Sequence, residues 1–102
     1  MIKGDKELAD LEEVFGALAH ASRRQILLAL WLRGGALSAG QIAERFSCKW
    51  PTITRHLNLL VSAGLVSVRK EGRERLYTLD RARLMEVVGG WLRWFETQAD
   101  RP

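Results

Sequence analysis

Thr52, Thr54, Arg55 and Asn58, with Ser62 closing the row, fall on one side of a single helical stretch. Their chemistry suits hydrogen bonding to base edges and phosphates. A guanidinium at Arg55 matches guanine O6 and N7, the Asn58 amide matches adenine, and the threonines suit phosphate, a base edge or a thymine methyl. No acid interrupts the row. On the opposite side Ile53, Leu57, Leu60 and Val61 recur at i, i+4, i+7 and i+8, a stripe that must be buried. His56 stands at the stripe's border, as a half-buried residue or a phosphate contact. Just upstream, the Lys49 ammonium is placed to reach a phosphate. The Trp50 indole suits the sugar–phosphate edge or a thymine methyl, or folds back onto Phe46.

A second cluster follows within twenty residues: Arg69, Lys70, Arg73 and Arg75. The chain carries +4 overall, and the excess is not spread evenly. Residues 45–81 hold eight bases against Glu71, Glu74 and Asp80, while the flanking thirds are near neutral. A base-rich continuous segment is what a polyanion-binding surface requires.

These residues need elements to position them. The spacing of Leu8, Leu11, Val14, Phe15 and Leu18 predicts a helix over Lys6 to Ala19. Ser22 is placed as the N-cap of a second helix to about Arg33, with Ile26, Leu27, Leu30 and Trp31 inward and Gly34-Gly35 as its stop. Ser38 and Gln41 have capping-box spacing for a short third helix whose Ile42, Ala43 and Phe46 face the core. After a break at Ser47-Cys48-Lys49-Trp50, Pro51 suits the first turn of the fourth helix, which runs to about Ala63 and ends at Gly64. The period then changes. Leu65 to Arg69 and Glu74 to Leu79 read as strands joined through Glu71-Gly72. A fifth helix runs from Asp80 or Arg81 to about Glu96. The expected fold is mainly α with a two-stranded β-hairpin wing, a winged helix-turn-helix in the order α-α-α-α-β-β-α, as one domain over residues 1–102. A helix fits the major groove, and a two-stranded wing reaches the adjacent phosphates or the minor groove.

With 102 residues, 47% of them hydrophobic, the chain can bury one core. No apolar run approaches a membrane span, and the charged N-terminus lacks a signal peptide's apolar region, so no membrane partner and a cytoplasmic, nucleoid-associated location are expected. The single cysteine leaves no internal disulfide framework or cysteine-cluster zinc site. No Cys–His pair, phosphate-binding glycine loop or carboxylate pair suggests catalysis, and no cofactor or metal is expected.

In this order and spacing the segments resemble the ArsR-type (ArsR/SmtB) winged-helix repressors of bacteria, over about residues 8–96. Leu18-Ala19-His20-Ala21-Ser22-Arg23-Arg24-Gln25-Ile26-Leu27 is similar to the family's stretch between its first two helices, with His20-Ala21 where Asp-Pro is usual. Pro51-Thr52-Ile53-Thr54-Arg55-His56-Leu57, then Leu60 and Ala63-Gly64-Leu65-Val66, resembles the recognition helix and its exit. Gly72-Arg73 and Leu76-Tyr77-Thr78-Leu79 resemble the wing. The resemblance implies a homodimer formed by the first and last helices, and repression from an inverted-repeat operator in double-stranded DNA, released by a signal.

The residues support the dimer separately. Leu84, Val87, Val88, Trp91, Leu92 and Phe95 form one stripe on the last helix, and Met85 and Trp94 widen it to roughly half the circumference. Leu8, Leu11 and Phe15 of the first helix complete the expected interface. A symmetric contact is the usual remedy for so broad an apolar face; the other is cover by the first helix of the same chain. Gly89-Gly90 implies either a kink or close approach of a partner helix.

The family's metal sensors place cysteines near the third helix or Asp and His ligands along the last. This chain has no Cys in the third helix and no His or Cys in the last, so the match is to the metal-independent branch. Cys48 stands where the family has an aliphatic residue, as a small buried hydrophobe or as a thiol switch with Lys49 nearby. Lys49 replaces the family's Ser or Thr cap, a loss on the order of 1 kcal/mol; either Ser47 partly replaces that cap or Lys49 is there to reach a phosphate. The alternatives to a DNA-binding repressor are a winged-helix module that binds a protein and a repressor switched through Cys48. An unidentified protein or small-molecule effector is the remaining expected partner.

Overall fold

The computed structural model describes residues 4–46 and 49–96. Helix α1 spans Asp5–Leu18 and buries Leu11, Val14 and Ala17. Asp5 and Glu7 sit in its first turn, where carboxylates favour the free amides. Helix α2, Ala21–Leu32, starts earlier than its sequence suggests. Its cap is His20, whose Nδ1 accepts the Ser22 amide at 3.1 Å. The imidazole does what a Ser22 hydroxyl was expected to do. Gly34 and Gly35 end the helix with φ of +92° and +100°, a region open to glycine.

A short strand that the sequence did not announce comes next. Strand β1, Ala36–Ser38, pairs antiparallel with β3, Glu74–Leu79, in the register Leu37↔Tyr77. Three residues carry too little alternation to signal a strand, and the pairing partner lies some forty positions downstream. Strand β2, Val66–Glu71, flanks β3 on the other side, so the sheet order is β1-β3-β2. The hairpin wing is therefore anchored to the helical body by a third strand.

Helix α3, Ala39–Arg45, carries the expected capping box. The Gln41 amide donates to Ser38 Oγ at 3.1 Å, and the Ser38 amide donates to Gln41 Oε1 at 2.8 Å. Replacing Ser38 by alanine should lower stability by about 1 kcal/mol, read as a shifted urea midpoint with an unchanged slope.

Helix α4, Trp50–Ser62, presents Ile53, His56, Leu57 and Leu60 inward, and Pro51 lies within its first turn. Lys49 occupies the cap position without a side-chain bond. At the other end Leu65 N–H reaches Leu60 O and Gly64 N–H reaches Val61 O, both at 3.0 Å, with Gly64 at φ +77°. This Schellman closure turns the chain into the sheet. Helix α5, Arg81–Glu96, opens with the Arg83 amide donating to Asp80 Oδ1 and continues as one helix through Gly89 and Gly90. Arg83 also reaches Asp10 of α1 at 3.5 Å and Ala63 O at 3.4 Å, joining three helices.

The core is centred on Val14, Ile26, Leu30, Ile42, Ile53, Leu57, Leu60 and Leu65, drawn from α1 to α4 and the entry to the sheet. Trp31, expected inside, is 54% exposed beneath the Arg81 guanidinium, 5.3 Å from the ring centroid. Its position on α2 lies beyond the stripe made by Ile26, Leu27 and Leu30. No helix of the described residues is long and apolar enough to cross a membrane.

Candidate nucleic-acid interface

The buried face of α4 fixes the direction of its other face. With Ile53, Leu57 and Leu60 locked into the core, Thr52, Thr54, Arg55 and Asn58 are exposed, as is Trp50 at the helix start. Trp50, Thr54 and Asn58 share the walls of a shallow cleft of about 480 Å³ with Arg75 and Tyr77 of β3. Helix and wing thus form one continuous surface. Trp50 lies open at the junction rather than folded into the core.

The wing's turn is built differently from the expected Glu71-Gly72 pair. Glu71 pairs with Glu74, so the two central residues are Gly72 and Arg73. Gly72 has φ +64° and Arg73 a negative φ, the arrangement of a type II′ hairpin. Arg73 therefore stands at the tip. Lys70 lies directly across from Arg75. Like charges opposed across a ladder are destabilising, and neither has an ion partner among the described residues. A polyanion would relieve that repulsion. Arg69 differs: its Nε and Nη2 both reach Glu71 Oε2 at 2.8 Å along the same strand. An exposed pair of this kind is worth little and exchanges readily.

His56 leaves the candidate contact surface. It is 5% exposed, on the inner side of α4. Its Nδ1 lies 3.0 Å from Arg23 Nη1, and its ring centroid is 4.5 Å from that of His20. Burial first, then the charges of His20, Arg23 and Arg55, lowers its pKa from the ordinary imidazole value. Periodicity put residue 56 at the stripe's edge; the arrangement with Arg23, thirty-three positions away, brings it inside. Nothing in the residues near Arg23 marks it out beyond the resemblance of the segment that contains it.

The expected dimer residues divide into two groups. Leu11 is a core residue of its own chain, and Leu84, Val87 and Val88 pack against that core. Leu8, Trp91, Leu92 and Phe95 stay exposed, together with Met85. Phe15 meets Trp91 edge-to-face at 5.1 Å, and Trp91 meets Phe95 at 5.0 Å. Trp94 is half-buried. Helix α1 thus covers only part of α5, and none of the sixteen residues of α5 is buried.

Cys48, the candidate thiol switch, lies outside the described residues, as does Ser47. Among the described residues no group of three His, Cys, Asp or Glu side chains gathers where a metal could sit.

Comparison with known proteins adds to this geometry. A helix-turn-helix domain family model matches residues 18–69. The transcriptional repressor SdpR of Bacillus subtilis is 34% identical over 88% of the chain and 97% of its own length. Among solved structures, an ArsR-like transcriptional regulator from Rhodococcus sp. RHA1 superposes with a TM-score of 0.80 at 32% identity, covering 95% of this chain and 90% of that one. The homodimeric winged helix-turn-helix DNA-binding domain of Mb0332 from Mycobacterium bovis matches with a TM-score of 0.68 at 31% identity, covering 89% and 88%.

Proposed function

The chain belongs to the ArsR family of winged helix-turn-helix transcriptional regulators, and from that premise we propose a homodimeric repressor that grips an inverted repeat of duplex DNA without a metal ligand. The protein is a transcriptional repressor of that family with a DNA-binding winged-helix fold. The observation that carries the finer reading is the shared surface: the acid-free outer face of α4 lies beside a wing whose Lys70, Arg73 and Arg75 have no ion partner among the described residues.

In this reading Thr52, Thr54, Arg55 and Asn58 read the major groove, with Trp50 against the sugar–phosphate edge at the start of the helix. Lys49, Lys70, Arg73 and Arg75, with Arg69 released from Glu71, hold phosphates and set the register. The dimer is supported by the exposed Leu8, Met85, Trp91, Leu92 and Phe95, a patch too apolar to leave in water. The relative Mb0332 is itself homodimeric. Two-fold symmetry in the protein calls for two-fold symmetry in the operator. Metal independence is supported by an α5 without His or Cys and an α3 without Cys. The whole of residues 1–102 is one such unit, with α1 and α5 as its dimer face.

The salt dependence of duplex binding tests the assignment. Each phosphate neutralised steepens the fall of log affinity with log salt by about 0.9. Arg73→Ala, at the wing tip, should weaken specific and random duplexes alike and flatten that slope by about one unit. An unchanged slope would remove the wing from the contact list. Weak duplex binding without sequence preference would favour a module for a protein partner.

A further inference from the structure

Arg23 ties the recognition helix to the rest of the fold. From the first turn of α2 its Nε donates to Ala17 O at 2.7 Å and its Nη2 to Gly16 O at 3.3 Å, gripping the last turn of α1. Its Nη1 lies 3.0 Å from His56 Nδ1 on α4. A guanidinium has donors and no acceptor, so Nδ1 must be the bare, accepting nitrogen and the proton sits on Nε2. His20, at the α1–α2 junction, lies against the same imidazole with the rings tilted by 53°. The charged and titratable groups around His56 are Arg23 from α2, His20 from the junction and Arg55 on α4 itself. No carboxylate among the described residues pairs with it.

We propose that the Arg23–His56 contact, backed by His20, is an acid-labile joint that holds the recognition helix at its DNA-reading angle. This rests on the DNA-binding reading above and concerns residues that touch no base or phosphate. A proton on Nδ1 converts the acceptor into a donor facing a donor, and adds a charge to a buried ring beside a guanidinium. The joint then opens, and α4 loses the polar link that Arg23 makes from α2 and the end of α1. Arg83 supplies the other polar link, from Asp10 to Ala63 O at the far end of α4, and contains no imidazole. The middle of the recognition helix is therefore held through an imidazole, and its C-terminal end through a link that has none.

The direction follows from linkage. His56 titrates below its ordinary value in the folded protein, because of burial and then its cationic neighbours. The unfolded chain then binds more protons as pH falls through about 6.5, so stability is full above that value and drains toward the lower folded-state midpoint. DNA affinity should follow the same direction. A histidine on the phosphate surface would do the reverse, since its added charge tightens binding on acidification. The sign of the pH effect separates the two roles.

The experiment measures affinity of the full chain for a duplex enriched from random sequence, from about pH 7.5 to about 5.5. Wild type should weaken several-fold across that range. His56→Asn keeps an acceptor near Nδ1 without the titration, and should bind like wild type at the upper pH and stay flat. Tighter or unchanged wild-type binding in acid, or the same acid loss in H56N, overturns the joint. Should H56N fail to fold, imidazole NMR of wild type decides. Reciprocity requires that duplex lower the His56 midpoint further, and an unmoved or raised midpoint overturns the proposal. Duplex binding that ignores pH refutes the joint alone, whereas no duplex binding at any pH refutes the DNA reading with it.

Discussion

Arg55→Ala should cost about 1–3 kcal/mol of affinity for the selected operator and relax one base position, while binding to random duplex changes little. Arg55 is exposed on the outer face of α4, one position after Thr54, whose side chain lines the cleft with the wing. It has no ion partner among the described residues, so its guanidinium is free to offer two parallel donors to guanine O6 and N7. That arrangement suits a base contact, and a base contact shows its value only against the wrong base. The measurement is a pair of titrations, operator and scrambled duplex, at one salt concentration. Equal losses on both would make Arg55 a phosphate contact and move base reading toward Thr52, Thr54 and Asn58.

Leu92→Glu should convert the dimer to a monomer and reduce operator affinity by about 10²–10⁴, the factor usually gained by linking two binding modules. Leu92 is 50% exposed and Phe95 63%, so neither contributes much to the protomer's own core. A carboxylate at 92 would remain solvated in the monomer but would be buried across from apolar side chains in the dimer, an expensive place for an unpaired charge. Sedimentation should show half the mass, with helicity near wild type and a thermal midpoint lowered by the lost dimer contact. A variant that sediments as wild type would place the interface elsewhere, and the exposed row of α5 would need another occupant. A variant that unfolds would mean α5 holds the protomer together more than its half-exposed residues indicate.

The fold was legible where signals are local. The capping box at Ser38, the apolar stripe of α4 and the glycine exit at Gly64 are each written within a few residues, and each stands in the structure as expected. What stayed hidden depends on distant partners. Strand β1 exists because Ala36–Ser38 finds β3, and no window of three residues reveals that. His20 caps α2 through a ring nitrogen, a role that ranking residues by hydroxyl or carboxylate passes over. His56 looked like a border residue because a helical wheel counts angles and not neighbours; Arg23 draws it inside.

The candidate site divides in the same way. The row Thr52, Thr54, Arg55 and Asn58 follows from periodicity alone, since an exposed face is whatever the buried stripe leaves. The wing's basic character was visible, but not which cation stands at its tip nor which is already paired. The register put Arg73 at the turn and set Lys70 against Arg75, while Arg69 settled on Glu71 two residues along its own strand. Likewise the apolar stripe of α5 was plain, yet only packing separates Leu84, Val87 and Val88, which serve the protomer, from Leu92 and Phe95, which it leaves in water.

Selection of the purified protein on random duplex DNA, at physiological salt and with reductant present, tests the central claim most directly. The account predicts enrichment of an inverted repeat whose half-sites lie about one helical turn apart, as two α4 helices of a symmetric dimer require. Salt-sensitive binding with no enriched sequence would contradict it, leaving the wing's cations as a nonspecific grip and α4 without a reading role.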